Sequence, residues 1–154
     1  MDAIVDELLC WGWIDSLPRK LDERRTMVRI SPRKPSSRWS RVNKGKVARL
    51  DAEGRMRSPG LEAVRVAKAN GGWTFLDDVE RLEVPDDLAA AFDAEARAFW
   101  DRFPASSRRG ILEWIKSART EATRTRRVRE TASKAAANRK ANFPPGKDRG
   151  PAAG

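Results

Sequence analysis

Ile4, Val5, Leu8 and Leu9 recur at helical spacing, so the pattern predicts an amphipathic helix over residues 2–10. The aromatic run Trp11-Gly-Trp-Ile-Asp15 breaks that period. Further on, Thr26, Val28 and Ile30 alternate with Arg25 and Arg29, which is the period of a half-buried strand. Residues 11–16 and 24–30, joined through Pro18 to Glu23, therefore predict an antiparallel hairpin. Pro32 and Pro35 end the second strand and hold residues 31–38 as an extended arm, because proline cannot continue a ladder and restricts its predecessor. Ser40 is placed to cap a helix running to about Glu53, with Gly54 at its C′ position. Ser58-Pro59 starts another with proline at N1, its inner face Leu61, Val64 and Ala67, and Asn70-Gly-Gly72 stops it.

Trp73 to Arg81 reads as a connector. From Pro85 an apolar stripe through Leu88, Phe92, Ala96, Phe99 and Phe103 predicts one continuous helix that Pro104 ends. Ser106 or Ser107 is placed to cap the next, with Ile111, Leu112, Ile115 and Ala118 inward and Trp114 beside them. Trp100 and Trp114 are expected in this helical core. The last helix, from about Glu121 to Arg139, has only Val128, Ala132, Ala135 and Ala136 as its apolar stripe. The Pro- and Gly-rich tail is expected to be disordered. The predicted fold is α+β and predominantly α: a small antiparallel hairpin followed by about five amphipathic helices. It divides into a hairpin-plus-helices lobe over 1–75, a helical part over 82–143 and a disordered tail over 144–154.

Composition narrows the chemistry. The 154 residues include no His and no Tyr, and Cys10 is the single cysteine. A Ser-His-Asp or Cys-His site, a His-ligated metal and an intrachain disulfide are thereby excluded, and no cofactor is expected. Cys10 follows an apolar helical stripe, so inert burial is its expected role. No apolar run approaches the roughly 18 residues of a membrane span, and the acid-bearing start lacks a basic n-region. With one unpaired cysteine, the expected compartment is the reducing cytoplasm. The net charge of +10 is concentrated: residues 19–57 hold 14 basic and 4 acidic side chains, and residues 105–154 hold 13 and 4. Such blocks are either solvated faces or surfaces for nucleic acid or anionic lipid.

The candidate ligand or partner site is Trp13, Asp15, Arg33, Trp39 and Asn43. Prolines 32 and 35 restrict the arm so that it can fold over the hairpin and fix Arg33 as a bidentate anion clamp. Trp13 and Trp39 offer flat apolar walls, and Asp15 and Asn43 add polar groups, a mixture typical of small-ligand sites. The competing arrangement is a structural network in which the tryptophans are core and Arg33 simply pairs with Asp15. Asp15, Asp22 and Glu23, with cations at 19, 20, 24 and 25, read as salt-bridge partners rather than paired acids. Helices 40–53 and 59–69 have the spacing of a helix-turn-helix, but the second carries only Arg65 and Lys68 to reach a base.

Taken together, Cys10-Trp-Gly-Trp-Ile-Asp15, Arg19-Lys-Leu-Asp22, Ser31-Pro-Arg-Lys-Pro-Ser-Ser-Arg-Trp-Ser40 and Val42-Asn43 resemble the YdeI/OmpD-associated family of bacterial proteins. Leu50-Asp-Ala-Glu-Gly-Arg-Met56, Gly72-Trp73, Val84-Pro-Asp-Asp87, Ser106-Ser-Arg-Arg-Gly-Ile-Leu-Glu-Trp-Ile115 and Thr120-Glu-Ala-Thr-Arg-Thr-Arg-Arg127 continue the resemblance, which spans about residues 2–143. Members of that family usually carry about forty further residues, with a strand, ahead of the helix that opens this chain; Ser16 also stands where many have Gly. The resemblance implies a non-enzymatic protein of stress or bacteriocin protection, with a porin as the partner its name suggests. The alternatives are a nucleic-acid-binding accessory protein using the basic blocks and an enzyme using carboxylate and Arg chemistry on an anionic metabolite.

Overall fold

The computed structural model describes residues 2–151. The chain divides into two compact units, the first ending at Asp77 and the second beginning at Asp78. Among the described residues strands lie only in the first, and helices in both, so the fold is α+β and predominantly α.

The first unit opens with α1 (Asp2–Cys10), passes through a hairpin, and closes with α2 (Arg41–Ala52) and α3 (Ser58–Ala69). Its core gathers Leu9, Cys10, Trp39, Val47, Leu50, Met56, Val64 and Ala67. One buried acid holds α1 to α2: Asp6 accepts from Lys46 at 2.9 Å and from Arg49. Against α3, α1 makes backbone contact. Gly60 lies so close to the end of α1 that a Cβ there would overlap the Cys10 carbonyl oxygen. Gly12, at φ +73°, turns the chain out of α1 beside the Pro59 carbonyl, a conformation and a clearance that only glycine supplies.

The hairpin is antiparallel but interrupted. At its base β1 (Trp13–Asp15) pairs with β4 (Ile30–Pro32) in the register Trp13↔Pro32, Ile14↔Ser31, Asp15↔Ile30. Toward its tip β2 (Arg19–Lys20) pairs with β3 (Thr26–Met27). Asp22 rounds off the turn by accepting the Arg24 and Arg25 amides at 2.9 and 2.8 Å. The expected continuous strand over 24–30 is thus two short ones, and its alternating face is not half-buried: Thr26 and Ile30 are exposed and only Val28 is partly covered. Alternation predicts a strand, but burial needs a partner layer, and Leu17, Leu21 and Met27 in the outer half of this hairpin are exposed. Pro32 sits inside β4 rather than beyond it, at a sheet edge where a missing amide is tolerated.

Ser40 caps α2 as expected, its hydroxyl accepting the Asn43 amide, and Gly54 follows the helix at φ +67°. α3 begins one residue earlier than its proline suggests. Its buried face is Gly60, Val64 and Ala67, and Leu61 is turned outward. The close approach at Gly60 sets that rotation.

The second unit contains most of α4 (Asp77–Glu80), then α5 (Asp86–Ala91), α6 (Ala94–Arg102), α7 (Ala105–Lys116) and α8 (Glu121–Ala136). The stripe from Pro85 to Phe103, expected as one helix, is two. Phe92 adopts an extended backbone, and Asp93 caps α6 by accepting the Ala96 amide at 2.7 Å. A capping aspartate competes with helix continuation while leaving the apolar stripe facing one core. α7 starts after Pro104 without a side-chain cap, and Ser107 lies buried inside it. α8 packs against α5, α6 and α7. The core of this unit includes Leu88, Trp100, Phe103, Ile111, Ile115, Val128 and Ala135, with Trp114 packed at its edge, as the tryptophans' positions predicted.

The tail expected to be disordered is placed over residues 144–151, and 152–154 of that expectation lie outside the described residues. Arg139 bridges Arg149, the Gly150 amide donates to the Asn138 carbonyl at 2.8 Å, and Asp148 is buried. Asn138, Asn142 and Gly146 all adopt positive φ, which turns the chain back toward the end of α8.

Candidate functional site

Arg33 is the focus. Its amide donates to the Gly12 carbonyl at 2.8 Å, continuing the pairing of β4 past Pro32. Its guanidinium lies 3.8 Å from the centroid of the Trp39 ring, and Nη1 donates to the Arg38 carbonyl at 3.1 Å. Nε and Nη2 are buried and have no acceptor. Burial pulls the Arg33 pKa down to about 10, opposed by the negative field of Asp15. A guanidinium with two unpaired N–H groups on one edge is shaped to receive a carboxylate side-on through Nε and Nη2.

The arm that carries it is pinned at several points. Asn70 donates through its side chain to the Pro35 carbonyl at 2.7 Å, the Trp39 amide donates to the Gly72 carbonyl, and the Ser37 amide closes a turn onto Lys34. Trp39 is fully buried and packs on Trp73 with centroids 5.1 Å apart. The guanidinium therefore stacks on a rigid aromatic floor. Beside it runs a groove of about 320 Å³ between three segments: Trp11 to Trp13, Pro32 to Pro35, and the face of α3 bearing Pro59, Glu62 and Val66. The walls are mostly flat and apolar. Glu62 belongs to Arg65, which grips it bidentately at 2.6 and 2.7 Å and holds its carboxyl below the usual carboxylate range.

Of the five residues singled out from sequence, Trp13 and Arg33 line this groove and Trp39 supports Arg33 from beneath. Asp15 makes no ion pair with Arg33 and reaches it only through its field. It lines a separate hollow along the hairpin with Leu17 and Arg19. Asn43 stands in the first turn of α2, where its backbone amide serves the Ser40 cap. Sequence reasoning missed the contribution of α3. Pro59, Ala63 and Val66 recur at i, i+4 and i+7 as a second apolar stripe, which was the available signal.

The other chemical candidates are placed as follows. Cys10 is buried, and burial pushes its thiol up from the ordinary value. Asp22 is occupied by the hairpin turn and by Arg25 at 2.7 Å, and both interactions lower its pKa. No group of His, Cys, Asp or Glu among the described residues is arranged to hold a metal ion. On α3, Arg65 is committed to Glu62 and Leu61 is exposed, a poor surface for reading base edges. Among the described residues, no helix is long and apolar enough to cross a membrane.

A two-unit α+β protein with an arginine-floored groove in its first unit is the class these features define. Residues 81–138 match the model of the family described as Bacteriocin-protection, YdeI or OmpD-Associated. Residues 1–63, which contain the groove and the Trp-Gly-Trp run, match a different model, that of a domain of unknown function. Comparison with curated proteins and with solved structures finds no match.

Proposed function

We propose that this protein is a non-enzymatic binding protein of the YdeI/OmpD-associated type, acting in the cytoplasm in stress or bacteriocin protection. Its first unit captures a carboxylate-bearing apolar peptide in the groove beside Arg33. One observation carries this reading: a guanidinium stacked on buried Trp39 with Nε and Nη2 left without acceptors. Leaving buried donors unpaired is costly, so a carboxylate that displaces the groups covering Nε and Nη2 recovers that cost. Trp11, Trp13, Pro32, Pro35 and Pro59 supply the apolar walls that such a peptide needs. The family match of the second unit supports the protective role, and the absence of His together with a groove whose acid is tied to Arg65 supports binding rather than catalysis.

Calorimetric titration of the full chain with short apolar peptides bearing a free C-terminal carboxylate, and with their amidated counterparts, tests it. Binding of the free acids that is lost on amidation and in Arg33→Gln, with the melting temperature of the variant maintained, is the expected outcome. Equal affinity for amidated peptides, or undiminished binding by Arg33→Gln, overturns the reading.

A further inference from the structure

The outer half of the hairpin has no use in the groove, yet its surface is unusual. Leu17, Leu21 and Met27 are 86 %, 53 % and 47 % exposed. Among them stand Arg19, Lys20, Arg24, Arg25 and Arg29, and among the described residues only Arg25 of these is ion-paired, to Asp22. Leu17, Arg19, Met27 and Arg29 border one hollow of about 450 Å³, with Asp15 as its one acid, so apolar and mainly cationic groups share a single surface rather than opposite ones. The tip is held in shape by Asp22, which accepts two backbone amides and the Arg25 guanidinium. Ordered, exposed aliphatic side chains ringed by free cations are costly in water and mark an interaction surface.

We infer that the 17–29 hairpin docks on an anionic lipid bilayer, with Leu17, Leu21 and Met27 entering the acyl boundary and the flanking arginines and Lys20 meeting headgroup phosphates. Charge complementarity selects the partner. Five cations against two acids between residues 16 and 30 repel a second copy of the same hairpin and attract an anionic surface. The apolar component then separates bilayer from nucleic acid. Residues 16–30 contain no aromatic side chain on which a base could stack, whereas three exposed aliphatics gain by leaving water for hydrocarbon.

Flotation of the full chain with vesicles of phosphatidylcholine alone, and of phosphatidylcholine with phosphatidylglycerol, reads the inference out. Association with the anionic vesicles only, weakening with salt, is expected. The double variant Arg19→Gln/Arg29→Gln should weaken partitioning about thirtyfold, the effect of two cations at such a surface. Leu17→Asp/Met27→Asp should weaken it even at low salt, with an unchanged melting temperature because both sites are exposed. Arg126→Gln/Arg129→Gln, the same charge removed from exposed positions of α8, should stay within about twofold of the parent if local docking rather than bulk charge binds lipid. No association with anionic vesicles overturns the inference. So does equal loss in the α8 variant, or hairpin variants that keep vesicle binding while losing affinity for a duplex DNA probe.

Discussion

At the scale of single residues, the first unit is organised around two charged groups in different predicaments. Asp6 is buried and satisfied, accepting from Lys46 and Arg49, and those hydrogen bonds hold its carboxyl below the ordinary carboxylate value. A depressed carboxylate pKa means that the stabilisation is present above the unfolded value, about 3.9, and is lost as the pH falls through the folded one. Asp6→Asn should therefore lower the melting temperature at neutral pH and flatten its decline in acid. A variant that melts like the parent at neutral pH would show that the pair adds nothing to the α1–α2 contact. Arg33 is buried and unsatisfied, and that difference is what separates a structural ion pair from a candidate site.

Elements in this protein meet where glycines let backbones touch. The contact between α1 and α3 depends on Gly60, whose missing Cβ leaves room for the Cys10 carbonyl; the Arg57 amide also donates to that carbonyl at 3.1 Å. Gly60→Ala would force the two helices apart, an overpacking strain of about 1–3 kcal/mol or more. Because α3 also forms one wall of the groove, this variant should lose peptide binding together with stability. Thermal denaturation beside the titration checks both, and an unaltered melting temperature would mean that the helices slide freely. Exposed Leu61, one position on, shows the same constraint from its other side.

For the whole molecule, the tail belongs to the second unit. Asp148 is buried, and Gly150 meets Asn138 and Phe103 so closely that a side chain there would overlap them. Truncation after Phe143 should therefore lower the melting temperature by about 2–4 °C, the shift of roughly 1 kcal/mol in a chain of this size. A truncated chain with the melting profile of the parent would mean that the turn merely rests on α8. Hydrogen exchange offers a second measure: the Gly150 amide, bonded to the Asn138 carbonyl, should be protected.

What the sequence determined by itself is local. Ser40 and Gly54 bracket α2, period-2 alternation marks the hairpin, and Leu88, Ile111, Ile115 and Val128 fall on the core faces their spacing predicts. Each follows from hydrogen bonds or periodicity within a few residues, where the chain has few alternatives. Trp13 and Arg33 were legible as groove residues because prolines restrict the arm between strand and helix. Tertiary structure decided the rest. Alternation could not say whether a layer covers residues 24–30, and Thr26 and Ile30 are exposed where a half-buried strand was expected. The stripe from 85 to 103 is equally apolar in one helix or two, and the Asp93 cap chose two. Asp15 lies near Arg33 in sequence pattern but lines another hollow. The α3 wall of the groove exists only because Gly60 brings that helix onto α1. Burial and convergence depend on partners distant along the chain, and a one-dimensional pattern carries no record of which partners arrive.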